Sequence, residues 1–93
     1  MKVYHLPDLD GLTEALVAAV RLEEAAASLG MTVRTMRERG WKTAKGAKAA
    51  PALKRPGDAL YRPILGARGA WRPEREAARA SAARAAMRGG SSS

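Results

Sequence analysis

The sequence contains no cysteine, which excludes disulfide staples, thiolate metal sites and cysteine nucleophiles. Phenylalanine is also absent, Ile64 is the only isoleucine and His5 the only histidine. Alanine supplies 21 of the 43 residues in the hydrophobic class, leaving 22 larger apolar side chains, enough for a small helical core but not for a deep substrate cavity in 93 residues. A histidine without a second histidine or a cysteine makes no metal set, and no glycine-rich phosphate loop, nucleophile elbow or zinc spacing is present. Glu23 and Glu24 are neighbours on a helical stretch, so they do not face each other as a catalytic pair would and read as dipole partners of a first turn. The expectation is a protein without enzymatic activity, cofactor or metal.

Long apolar runs are missing too. The longest, Ala15–Val20, has six residues, far short of the ~20 that span a bilayer. Asp8, Asp10 and Glu14 interrupt residues 1–20, which therefore lack a secretory layout. A cytoplasmic protein with no membrane partner is expected.

What the chain does have is positive charge, unevenly placed. The total is +8, with a sequence pI near 10.9. Residues 1–33 carry two cations against five carboxylates, a net of −3, whereas residues 34–93 carry fifteen cations against four carboxylates, a net of +11. Charge segregated in this way makes a one-sided positive field that draws polyanions, nucleic acid first among them.

Local signals divide the chain mostly into helices. Val3, Tyr4 and Leu6 fit a brief extended segment, and Asp8 or Asp10 fits a helix N-cap. Leu12, Leu16, Ala19 and Val20 then recur at helical spacing, as do Leu22, Ala25, Ala26 and Leu29 up to Gly30, so 11–29 reads as one helix or as two bent near Val20–Leu22. Thr32 caps a further helix through Val33 and Met36 to Gly40, and Trp41 closes one side of the core. Residues 42–52 are basic, low in complexity and expected to be mobile. Pro56-Gly57-Asp58 is strong turn chemistry and permits a small hairpin between Leu53–Arg55 and Ala59–Arg62. Pro73 with Glu74 and Glu76 opens a last helix running to Met87 or Arg88, rich in alanine, with little to bury, and followed by the flexible tail Gly89–Ser93.

Residues 22–41 carry the functional reading. Ala26 is small where two helices would cross, Gly30 allows a tight turn four residues later, and Val33 and Met36 face back to the first helix. Thr32, Arg34, Thr35, Arg37 and Glu38 are left outside, a face suited to a DNA major groove, where arginine donates two bonds to guanine. Glu23-Glu24-Ala25-Ala26-Ala27-Ser28-Leu29-Gly30-Met31-Thr32-Val33-Arg34-Thr35-Met36-Arg37 resembles the start of winged helix-turn-helix proteins of the MerR and phage-excisionase type. The resemblance covers about 20 residues and implies that the second helix enters the groove while a β-hairpin wing grips the backbone. Carried across, it makes Arg34, Thr35 and Arg37 groove contacts and Lys54, Arg55, Tyr61 and Arg62 wing contacts. From the exposed helix face and the basic stretch, Glu38 is added to the base contacts and Thr32, Lys42, Lys45 and Lys48 join Lys54, Arg55 and Arg62 as phosphate contacts.

The combined expectation is a mainly α fold: a helix-turn-helix domain of three to four helices over 1–65, with a short wing at 53–62, and a basic arm over 66–93. Such a protein binds duplex DNA, as a homodimer where one short helix gives too little specificity, and serves as a phage-type transcription regulator or a recombination or packaging factor. Two other functions fit the same composition. One is an RNA- or ribosome-associated protein, the other a phage-borne modulator whose last helix docks on a host protein.

Overall fold

At Thr13–Ala19 the fold departs from the helical reading. In the computed structural model, which describes residues 1–64 and 71–91, this segment is a β-strand buried along its whole length. The four strands are β1 (Lys2–Leu6), β2 (Thr13–Ala19), β3 (Lys42–Ala44) and β4 (Leu60–Pro63), in the antiparallel order β3-β1-β2-β4. The helices are α1 (Leu22–Ser28), α2 (Val33–Glu38), α3 (Ala50–Leu53) and α4 (Arg75–Ser91), with a 3-10 turn at Gly46–Lys48. The fold is therefore α+β, and the expectation of a mainly α protein is wrong.

The reason lies in β2 itself. A strand covered on both faces shows no alternation of apolar with polar residues, so its run of apolar residues also satisfies a helical template. Ala15, Val17 and Ala19 point to one face with Tyr4 and Leu6 of β1; Leu16 and Ala18 point to the other with Val3. The first face is covered by α1, α2 and α4 through Ala25, Ala26, Leu29, Met36 and Ala78. The second is covered by Ala49 and Ala52, at and within the start of α3, beside Ala44 and Leu60. Residues 42–52, expected to be mobile, thus hold β3, the 3-10 turn and most of α3.

The aspartates before β2 shape a strand connection rather than cap a helix. The Asp8 carboxylate accepts from the amide of Gly11, whose φ of 85° needs glycine. Asp10 accepts from the amides of Leu12 and Thr13 and from the Thr13 hydroxyl. Arg75 and Arg79 of α4 reach the same carboxylate at 3.1 and 3.4 Å. Burial alone would raise the Asp10 pKa, but the donors from Leu12, Thr13 and Arg75 outweigh it and hold the carboxyl below its ordinary value.

No wing hairpin forms at 53–62. Leu53 closes α3, and β4 pairs with β2, Arg62 opposite Glu14 and Leu60 opposite Leu16. The Pro56-Gly57-Asp58 turn is present, with Gly57 at φ 84°, but it leads into the main sheet and its amide donates to Ala18. The last helix buries more than its composition suggests, because Ala78 and Ala82 are each 1% exposed. It continues through Gly89–Ser91, where a flexible tail was expected. The expected boundary between 65 and 66 and the final residues 92–93 lie outside the described residues.

Asp10→Asn separates the two accounts. Asparagine caps helices about as well as aspartate, whereas here it removes the charge held by Arg75 and Arg79. The expected outcome is a loss of ~1 kcal/mol in denaturant unfolding at low ionic strength, shrinking as salt is added.

Candidate nucleic-acid interface

Both helices of the α1–α2 pair end in the same glycine-dependent cap. Gly30 donates to Ala27 and Met31 to Ala26, with Gly30 at φ 69°. Gly40 donates to Arg37 and Trp41 to Met36, with Gly40 at φ 72°. This is the Schellman arrangement, which satisfies the last carbonyls and turns the chain sharply. Between the helices, the Thr32 hydroxyl accepts from the Thr35 amide at 3.1 Å and caps α2. The Thr32 and Thr35 hydroxyls also bond each other at 3.0 Å.

These caps aim α2. Met36 is fully buried, and Leu29 and Leu22 with Met31 and Val33 pack around it against the sheet. Trp41 follows directly and meets Tyr4 edge-on at 5.2 Å between ring centres. With Met36 inward, helical geometry sends Arg34, Arg37 and Glu38 outward, and all three are exposed. The Arg34 side chain is 89% exposed, and its contact with Glu38 at 3.4 Å is a surface pair one helical turn apart, worth only a few tenths of a kcal/mol. Nothing in that pair holds Arg34 back from a stronger acceptor. Thr35 is half-buried and Thr32 exposed.

The expected phosphate contacts separate into two groups. Lys42, Lys45, Lys48, Lys54 and Arg55 are all exposed, along β3, the 3-10 turn and the end of α3. Residues 34–55 hold eight cations and a single carboxylate, Glu38. Arg62 lies apart from them and is engaged within the scaffold. Its guanidinium lies 4.4 Å from the centre of the Trp71 ring and 3.4 Å from Glu14, while its Nε is buried without an acceptor among the described residues. Stacking on an aromatic face compensates part of the cost of burying that cation. Tyr61, assigned to the wing, is 8% exposed in the core, and burial raises its hydroxyl pKa.

The sequence reading missed the cluster around Arg62. His5 donates from Nε2 to Glu14 at 3.0 Å, and both are largely buried, with the Trp71 ring edge-on to His5. The strands bring together residues 5, 14 and 62, a pairing that no local spacing announces. Among the described residues no group of histidines and carboxylates could hold a metal ion, and no helix is long and apolar enough to cross a membrane. No family model matches the chain, and no curated protein or solved structure matches it.

Burial lowers the His5 pKa below its ordinary 6.5, helped by the charges of Lys48 and Arg62 and opposed by the bond to Glu14. The unfolded chain therefore takes up a proton on acidification before the folded one does. The associated stability is present in full above pH 6.5 and is lost as pH falls through the lowered folded value. Unfolding midpoints measured between pH 7 and about 5 should fall, and His5→Gln should flatten that slope by removing the titrating group.

Proposed function

We propose that the chain binds duplex DNA through the α1–α2 pair, with α2 in the major groove. One observation carries the reading: the Gly30 turn and buried Met36 pin α2 so that the guanidinium groups of Arg34 and Arg37 stand outside. Both can reach guanine O6 and N7, the commonest specific contact of arginine. Thr32 and Thr35 contribute hydroxyls at the groove edge, and Glu38 can accept from a cytosine amino group.

Lys42, Lys45 and Lys48 take the phosphate-gripping part that a wing plays in MerR- and excisionase-type proteins. They follow α2 in the chain, along β3 and the turn after it. The function is then that of a transcription regulator or a recombination or packaging factor, acting without catalysis. Because α2 has only six residues, it reads a short half-site, and a pair of protomers on two half-sites supplies the remaining specificity.

The test is selection of bound sequences from a random duplex pool at physiological salt, followed by affinity measurement. Arg34→Ala and Arg37→Ala should each cost ~1–3 kcal/mol on the selected site and relax base choice. Lys45→Ala and Lys48→Ala should weaken all sequences alike and lower the salt slope by about 0.9 for each phosphate that is no longer neutralised. Unchanged affinity and base preference in both arginine variants, or structured RNA outcompeting the duplex, would overturn the reading.

A further inference from the structure

The sheet has one bare end. Among the described residues β3 pairs only with β1, so the outer backbone groups of Lys42–Ala44 have no strand partner. An open groove of about 490 Å³ runs beside that edge. Val3, Ala44, Ala49 and Leu53 line it, with Thr43 and Lys45 at its rim. Exposed large apolar side chains are scarce among the described residues: Met1, Val20 and Leu53 are the three, and both Met1 and Leu53 lie on this groove. Leu53 is 49% exposed, a considerable apolar surface for a chain with so few large apolar residues.

We propose that this edge is a docking site for an extended acidic segment of a partner protein, which adds a fifth strand beside β3. Main-chain bonds to an open edge give affinity to any extended peptide, and side-chain pockets choose among them. Apolar side chains at alternate positions of the incoming strand would enter the groove over Val3, Ala49 and Leu53. Charge selects the rest. The charged side chains lining the groove are lysines, and from Arg39 through Gly57 the sequence has no carboxylate at all.

The lysines at the β3 edge argue against a second copy of this chain as occupant. Pairing β3 with its symmetry mate would bring two sets of Lys42 and Lys45 to one seam in a protein of net charge +8, and like charges across strands destabilise pairing. A nucleic-acid backbone would use the lysines but leave the exposed Leu53 and Met1 in water. An extended segment alternating apolar residues with aspartate or glutamate satisfies the edge, the groove and the charge together. The edge shares Lys45 with the proposed phosphate grip but none of the α2 arginines, and Leu53, which a phosphate backbone has no use for, tells the two occupants apart.

The experiment is a selection from a random heptapeptide library against the intact chain, followed by binding of the synthetic selected peptides. Expected are sequences that alternate apolar with acidic residues and shift the amide resonances of residues 42–46 and the methyls of Leu53. Leu53→Lys and Lys45→Glu alter exposed side chains and should each weaken binding roughly tenfold or more, while Arg34→Ala leaves it unchanged. Selected peptides without acidic residues, no enrichment, or shifts away from β3 would overturn the proposal. So would duplex DNA competing for the same Leu53 methyls, or sedimentation as a dimer that Leu53→Lys dissociates.

Discussion

A strand with two apolar faces has to be covered twice, and β2 imposes that requirement on the rest of the chain. Thr13–Ala19 is buried throughout, so neither side of the sheet centre can be left to water without exposing Leu16 or Val17. The chain meets the demand with small side chains. Ala25, Ala26 and Ala78 let α1 and α4 lie close on one face, and Ala49 and Ala52 do the same on the other. Close approach compensates for the shortage of large apolar residues, because dispersion depends on contact distance more than on residue size. The helix pair that presents Arg34 and Arg37 is one of the covers that β2 requires. Its orientation is therefore tied to the most deeply buried part of the protein.

Much of the local punctuation is legible in the sequence, because capping is local chemistry. Gly30 and Gly40 end their helices and Thr32 starts one, with partners within a few residues in each case. Strand pairing is not local. The spacing of Leu12, Leu16, Ala19 and Val20 looks helical only because β2 is apolar on both faces. The turn at Pro56-Gly57-Asp58 is readable, yet the partner of the strand after it lies 48 residues from Arg62, at Glu14. Alanine misled in two ways: its helix propensity obscured a central strand, and its small size made α4 look as if it had nothing to bury.

Charge was legible in total and not in its use. Fifteen cations after residue 33 look alike as letters, but the fold assigns them different work. Arg62 is committed to Glu14 and Trp71, and Arg75 and Arg79 bind α4 to Asp10. Those cations belong to the scaffold. The cations from Arg34 through Arg55 stand exposed around α2, β3 and the 3-10 turn, and with Arg72 and Arg84 they are the exposed cations of the basic stretch left outside those pairs among the described residues. The proposed DNA reading rests on this division, since Arg62, Arg75 and Arg79 would have to give up their Glu14 and Asp10 partners to bind.

Amide hydrogen exchange of the chain, free and with a duplex selected at physiological salt, tests the central claim most directly. The account predicts that β2 amides exchange slowest in the free protein and do not change on binding, whereas α2 and residues 42–48 gain protection. Fast exchange in β2 would contradict the fold argument. Protection confined to α4, with α2 exchanging as in the free chain, would contradict the proposed interface.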